Sequence, residues 1–365
     1  MILQGDCRIV MLTLPAQHFH TSVTSPPYWG LRDYGIPPSD WPEVTYTPMP
    51  GLPPVTVPAW RGCLGLEPSP EMFVAHTVLV FREVWRVLRD DGTLWLNYGD
   101  SYFSAGQSIG LKPNDLIGIP WRVAFALQAE GWYLRMDNIW SKPNWMPESA
   151  RDRPTKSHEY MFLMSKSERY YYDKEAIKEH GVQDEWANGF RGGSYTGNET
   201  FVNQEGGKRK TRGNIKVPAG WDTELGSHGT IHRKGRSKAN SFARDVNESP
   251  PPGQPQQHRS EREDIDYKGF RNKRSVWTVA TQAFPEAHFA TFPEKLIEPC
   301  IMAGAPVGGR VLDPFGGSGT TEKVAIENGR ECTSIEIGEQ YVEIAERRIA
   351  TVQPKLQFEG QTLIF

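Results

Sequence analysis

Hydrophobic positions along this chain follow two rhythms, separated by a long stretch that has neither. Up to about residue 175, short apolar runs alternate with segments of helical period. Cys7–Met11 and Thr21–Thr24 read as short strands. Within Met72–Leu88, Phe73, Val80, Val84, Val87 and Leu88 recur close to the helical period, and the RDDG that follows is a stop signal, so a helix is expected. TLWLNYGD (Thr93–Asp100) reads as a buried strand, Pro120–Glu130 as a helix with its proline in the first turn, and YLRMDNIW and EYMFLM as two more strands. Between Gly35 and Pro70 the prolines leave little periodicity. That predicts an ordered surface loop, with a lid over a site as the alternative.

From about Val276 the alternation resumes. Pro293–Ala303 reads as a helix, RVLDPF as a strand, GGSGTTEKVAIENG as a turn opening a helix, and ECTSIEI as a strand. GEQYVEIAERRIATV is an amphipathic helix with Tyr341, Ile344, Ala345 and Ile349 on one face. Strand, turn, helix, strand and helix in that order imply a parallel sheet with right-handed crossovers, an α/β class. The stretch from about 176 to 275 is rich in Gly, Asn, Ser and charge and nearly lacks core-forming periodicity. Pattern alone thus divides the chain into 1–175, 176–275 and 276–365, without internal repeats.

Composition is that of an ordinary globular chain, 365 residues with 38% hydrophobic and 23% charged, enough for a large core. The formal charge of −3 is unevenly spread: Gln204–Ser275 holds 16 Lys and Arg against 9 Asp and Glu, the remainder 25 against 35. A basic segment on an acidic body is an electrostatic footprint for a polyanion. Composition by itself favours a solvated insertion with no partner; the interleaved Trp221, Phe242, Tyr267 and Phe270 tilt the reading towards a binding segment. Cys7, Cys63, Cys300 and Cys332 form no CxxC pair, which excludes a zinc knuckle or a disulfide framework and leaves reduced thiols in an intracellular protein. MILQGDCRIV lacks the basic and long apolar regions of a signal peptide, and no run is long enough to span a membrane.

Two short stretches carry chemistry. VLDPFGGSGTT (Val311–Thr321) follows a strand and opens a helix, and Gly316, Gly317 and Gly319 let backbone N–H groups approach a ligand. No Lys follows the glycines before Thr320 and Thr321, so it is no Walker A loop, and the spacing is too compact for a dinucleotide fingerprint. Asp313 would repel a phosphate but suits an amino-bearing ligand, and Glu336 at the end of the next strand can accept from both hydroxyls of a ribose. Ammonium, ribose and close backbone approach together fit S-adenosylmethionine. The second stretch is TSPPYW, which ends a strand, where open α/β sheets bind ligands. Its prolines remove two N–H donors and leave carbonyls free. Ser25 adds a hydroxyl acceptor and Tyr28 a flat face. Two acceptors and a stacking plane suit an exocyclic amine on a nucleobase, made pyramidal and aimed at an electrophilic methyl group, with the base flipped out to reach it.

Ser25-Pro26-Pro27-Tyr28 resembles the catalytic (D/N/S)PP(Y/F) motif of DNA methyltransferases that act on amino groups, and Asp313–Thr321 resembles their cofactor loop. Catalytic motif before cofactor motif is the order of the circularly permuted β group, which puts target recognition in between, where the basic segment lies. GDCRIVMLTLP is similar to the family's N-terminal strand, whose acid contacts the cofactor adenosine, which implies that role for Asp6. FATFPEKLIEPCI is similar to the helix over the cofactor, and IWSKPNWMPESARDRPTKSHEYMFLMSKS to the segment that shapes the target-base pocket. The match covers both ends of the chain and not its middle. It implies a Rossmann-like methyltransferase fold with a mostly parallel sheet and an inserted target-recognition region. S-adenosyl-L-methionine would be held by Asp6, Asp313, Phe315, Gly316, Gly317, Ser318, Gly319, Thr320, Thr321 and Glu336. Ser25 and the Pro26 carbonyl, stiffened by Pro27, would orient the amine, Tyr28 would stack on the base, and Trp29 and His158 would shape its pocket. No metal is needed. The substrate would be duplex DNA at a short specific sequence. Phosphate contacts would come from Lys208, Arg209, Lys210 and Arg212 and from Arg233, Lys234 and Arg236. A cognate restriction endonuclease and a homodimer are the further partners such a protein admits, in the cytoplasm of a bacterium or encoded by a phage.

Many adenine-N6 enzymes of this family carry Asp where Ser25 stands, whereas serine is more typical of cytosine-N4 enzymes. Cytosine N4 is therefore the expected target and adenine N6 the alternative. Methylation of RNA or of protein glutamine, and a non-catalytic DNA-binding protein on a methylase scaffold, are the other readings; the intact pairing of TSPPY with DPFGGSGTT argues against the last. Two signals are set aside. His158-Glu159 does not begin HExxH, because position 162 is Phe, and Pro299-Cys300 sits in a helical run that predicts a buried thiol.

Overall fold

The structure, a computed structural model, describes residues 1–31, 33, 35–103, 110–145, 150–180, 270–282 and 292–354. The chain divides into two units, Met1–Glu179 with Asn272–Phe365 and His180–Arg271. The first carries an eight-stranded sheet in the order β1 (Ile2–Gln4), β14 (Glu331–Glu336), β13 (Arg310–Asp313), β2 (Phe19–Thr24), β7 (Leu88–Tyr98), β9 (His158–Ser165), β8 (Tyr133–Ser141) and β12 (Val276–Thr278). Every neighbouring pair is parallel except the two made by β9. The expected α/β class with a mostly parallel sheet is what forms. Two-residue strands β10 (Glu179–His180) and β11 (Phe270–Arg271) lie outside this sheet.

Strand alternation splits the core between the two faces of the sheet. Leu94, Leu96 and Tyr98 of β7, Phe162 and Met164 of β9, Leu312 and Ile335 pack on one face with α1 (Cys7–Leu12), α2 (Pro70–Val87) and α3 (Ile119–Ala129). Trp95, Met161, Leu163, Val23 and Val311 pack on the other with α4 (Glu294–Gly304) and α5 (Thr320–Glu327). Burial on both faces is why these strands read as continuous apolar runs. The last helix, α6 (Glu339–Ile349), buries Ala345 of the face expected from its period. Ser69 starts α2 by accepting from the Met72 amide at 3.2 Å, and Pro70 occupies the first turn, where its missing N–H costs nothing.

Two local expectations fail. Cys7–Met11 is not a strand but the body of α1. Asp6 caps it by accepting from the Arg8 amide at 3.0 Å, and Cys7, Val10, Met11 and Leu14 return to one face at helical spacing; the strand before it is Ile2–Gln4. The proline-rich stretch is not featureless either. It folds into two small antiparallel sheets, β3 (Ser39–Trp41) with β6 (Trp60–Gly62) and β4 (Val44–Tyr46) with β5 (Val55–Val57). β-branched pairs favour the second, where the Thr45 and Thr56 hydroxyls meet across the ladder at 2.8 Å, and the Trp41–Trp60 and Asp40–Arg61 pairs favour the first. Strand β7 also starts earlier than its apolar core, at Leu88, because α2 runs into it with no intervening loop.

Candidate active site

Strands β13 and β2 are neighbours in the sheet, so the two motifs leave it side by side at its carboxyl edge. Asp313 ends β13 and is 1% exposed. Its carboxylate accepts from the hydroxyls of Thr24 and Thr321, each at 2.6 Å, and from the Phe315 amide at 3.0 Å. Burial pushes this carboxyl up to about 6 against the opposing pull of those hydrogen bonds. Asp313 is therefore a joint: it ties the glycine loop and the first turn of α5 to Thr24, the residue before Ser25. It does not line the cavity, which differs from the ligand-contacting role expected of it.

The cavity encloses about 410 Å³, within the range of small-molecule sites, roughly 300–1,000 Å³. Phe315, Gly316, Gly317, Ser318 and Thr320 form one wall, and Asp6 and Glu336 another. Gly317 adopts φ +51° and donates its amide to Glu336 Oε2 at 2.9 Å, while Gly338 donates to Oε1 at 2.8 Å. Burial raises the Glu336 carboxyl, with both amides opposing. Each carboxylate oxygen keeps a further lone pair, so a diol remains within its capacity. A Cβ on Gly316 would sit 2.8 Å from that of Ser334, which explains the glycine. Asp6 also accepts from the Arg8 guanidinium; burial works against it, but Arg8 prevails and holds the carboxyl below its usual range. Gly319 (φ +75°) and Thr321 stand behind the wall, as the start of α5 and as a partner of Asp313. Arg348 of α6 braces the loop, reaching the Ser318 carbonyl at 3.2 Å and Thr320 Oγ1 at 2.9 Å.

Ser25, Pro26, Pro27 and Tyr28 line the same cavity. Tyr28 Oη donates to Glu159 Oε2 at 2.8 Å, with Asn97 Oδ1 at 3.1 Å, and Ser25 Oγ donates to Tyr28 Oη at 3.4 Å. Burial, and after it the Glu159 carboxylate, push the Tyr28 phenol well above its ordinary value, so it stays a donor. Lys142 forms an ion pair with Glu159 and lies 4.3 Å over the Trp140 ring. Glu159, Lys142, Asn97 and Trp140 all line the cavity. Trp140, Lys142 and Glu159 belong to the segment expected to shape the base pocket, but the sequence reading named none of them as a site residue and missed Asn97 altogether. A signal existed in the lone amide Asn97 at the end of an apolar strand, and in the alternation of β9, which turns Glu159 and His158 to opposite sides.

His158 and Trp29 are placed elsewhere. His158 packs edge-on against Tyr160 and is not on the cavity wall, and burial, the largest influence, lowers its pKa. Trp29 donates its indole N–H to the Glu67 carbonyl at 2.9 Å and packs against the core. Trp41, from the small sheets, does reach the wall, with Arg8 stacked 3.7 Å from its ring centroid. Cys300 is fully buried in α4 and far from nucleophile duty, its thiol raised by burial. Lys208, Arg209, Lys210, Arg212, Arg233, Lys234 and Arg236 lie outside the described residues.

A family model of DNA methylases, the N6/N4 methyltransferases, matches residues 19–347. The chain belongs to that family. Curated relatives agree. The methylase is 36% identical to the type II methyltransferase M.Cfr9I of Citrobacter freundii, over 95% of this chain and 87% of that one. It is likewise 36% identical to the type II methyltransferase M.SmaI of Serratia marcescens, over 95% and 90%. Among solved structures it shares its fold with the PvuII DNA methyltransferase (cytosine-N4-specific), at a TM-score of 0.53 and 16% identity over 96% of this chain and 90% of that one. It also shares it with TTHA0409 of Thermus thermophilus, a DNA modification methylase solved with S-adenosyl-L-methionine, at a TM-score of 0.50 and 19% identity over 97% and 96%. The methylase is thus a DNA methyltransferase of the N4-cytosine/N6-adenine family, with S-adenosyl-L-methionine as cofactor. Among its described residues no helix is long and apolar enough to cross a membrane.

Proposed function

We propose that this methylase modifies N4 of cytosine in duplex DNA at a short specific sequence. The observation that carries the reading is that Ser25-Pro26-Pro27-Tyr28 and the glycine loop open onto one cavity. The serine supports cytosine: a neutral hydroxyl stands where a carboxylate would favour adenine. Glu336 and Asp6 fit the hydroxyls and amino groups of the cofactor, and the bare backbone of Gly316 and Gly317 on the wall fits its close approach. When bound, it supplies an electrophilic methyl group on a sulfonium. Ser25 Oγ and the Pro26 carbonyl accept from the two amine hydrogens, while the Tyr28 ring, held at its hydroxyl, stacks on the flipped base. The basic run between Gln204 and Ser275 supplies phosphate contacts, and residues 176–275 are assigned to target recognition between the catalytic and cofactor portions. A type II context makes a partner endonuclease the natural companion.

Incubation with labelled cofactor and DNA, followed by mass spectrometry of the nucleosides, tests this. N4-methylcytosine is expected. N6-methyladenine would move the assignment to adenine, and no transfer to any DNA would overturn the enzymatic reading. Ser25→Ala is expected to slow methyl transfer about 100-fold while cofactor affinity changes less than about threefold. Equal loss of both would make the corner structural.

A further inference from the structure

Methyl transfer to an amine leaves a proton to remove, and a serine hydroxyl is a poor place to leave it. The cavity holds a better one. Ser25 Oγ donates to Tyr28 Oη at 3.4 Å and Tyr28 Oη donates to Glu159 Oε2 at 2.8 Å. Tyr28 has one proton, and the charged acceptor at 2.8 Å outcompetes the neutral Asn97 oxygen at 3.1 Å. Asn97 is instead fastened by its amide nitrogen, which donates to the Tyr160 carbonyl at 2.9 Å and to Glu159 Oε2 at 3.4 Å. The direction of donation therefore runs outward from Ser25 to the carboxylate.

That direction has a consequence for Ser25. A hydroxyl has one proton and two lone pairs. With its proton committed to Tyr28, Ser25 meets the substrate only as an acceptor, and the chain of hydrogen bonds ending on an anion strengthens it in that role. The charge that an Asp-led motif would carry at position 25 is supplied here from β9, two hydrogen bonds away.

We infer that Glu159 is the anionic end of a relay, Ser25 to Tyr28 to Glu159, that fixes Ser25 as acceptor for the target amine and takes up the proton the amine releases. The inference rests on the amine-methylation reading above. In the transfer, the amine lone pair forms the N–C bond as the C–S bond breaks, its electron pair staying on sulfur. The excess proton on nitrogen passes to Ser25 Oγ as the Ser25 proton passes to Tyr28 Oη and the Tyr28 proton to Glu159 Oε2. Glu159 ends as the carboxylic acid and returns its proton to solvent. Long hydrogen bonds of this kind tighten once a substrate fills the site.

The test uses single-turnover methyl transfer, cofactor affinity by calorimetry, and the fluorescence of 2-aminopurine at the target position as a reporter of base flipping. Glu159→Gln, which keeps shape and removes charge, is expected to slow transfer about 100-fold with both affinity and flipping signal within threefold of the parent. Tyr28→Phe keeps the ring and cuts the relay, and is expected to do the same; it carries the test by itself should Glu159→Gln unfold. The double variant is expected to be no more than about threefold slower than the worse single one, because both cut one chain. Transfer by Glu159→Gln within threefold of the parent, or losses that multiply in the double variant, would overturn the relay. If the parent protein itself modifies no amine, the underlying reading fails instead.

Discussion

The two corners that frame the cavity are built in opposite ways. After β13 the glycine loop is a backbone device. The amides of Gly316, Gly317 and Gly319 are held by the Ile335 carbonyl, the Glu336 carboxylate and the Gly316 carbonyl, and its acid, Asp313, is buried and bonded by Thr24, Thr321 and Phe315. After β2 the Ser-Pro-Pro-Tyr corner is a side-chain device. Its prolines stiffen the chain, and its charge comes from Glu159, 131 residues from Tyr28. The acid that sequence puts next to the ligand serves as a joint, and the acid that sequence sets aside faces the chemistry. A carboxylate's role follows from where the fold sets it, behind the cavity wall or on it, not from the motif it sits in.

Breaking each corner separately sharpens that contrast. The largest effect on cofactor binding is expected from Gly319→Val. Its positive φ is strained for valine, and a Cβ would lie 3.0 Å from that of Ala345, so cofactor affinity should fall at least about tenfold by calorimetry. Retained affinity would mean the loop is not held by its backbone. Gly99→Ala attacks the other corner. A Cβ there would sit 2.7 Å from Tyr28 Cε2 and 3.2 Å from the Glu159 carboxyl. Single-turnover transfer should slow by about 10- to 100-fold while the cofactor binds nearly as before, the reverse of the first variant.

Asp313→Asn is expected to act on stability. Folding raises this carboxyl from 3.8 to about 6, so the native state holds the proton more tightly than the unfolded chain. The group's contribution is fully present below about pH 4 and is lost as the pH rises through 6, up to roughly 3 kcal/mol. Unfolding midpoints measured from pH 4 to 7 should therefore fall less steeply in the variant, with Glu336, raised in the same direction, keeping its own share. An unchanged slope would show that Asp313 is not the titrating joint. The smallest effect belongs to His158→Ala, within about 0.5 kcal/mol of stability and twofold of the parent rate; a large loss of DNA-dependent activity would return His158 to the base pocket.

Much of this was written locally. The apolar runs of β7, β9 and β13 announce strands buried on both faces, and the period of Met72–Leu88 announces α2, because burial on a sheet or a helix leaves a fixed repeat. Where local cues compete, the reading slips: Cys7–Met11 carries β-branched residues, but the cap at Asp6 decides for a helix. The glycine loop and TSPPY were both visible as motifs, since turns and rigid corners need particular residues at adjacent positions.

What sequence by itself determined, then, is the α/β class, the two motifs and the kind of ligand they suit, all properties of short stretches whose backbone chemistry is set by neighbours in the chain. Only the tertiary structure decided how the charges are used. Parallel strands bring residues hundreds of positions apart to one edge, so Thr24 meets Asp313 across 289 residues and helps bury it behind the wall, while Glu159, from the one antiparallel strand of the sheet, arrives beside Tyr28 on the cavity wall. Which side of a wall an acid ends on is set by strand order in space, and nothing in the order of residues along the chain records it.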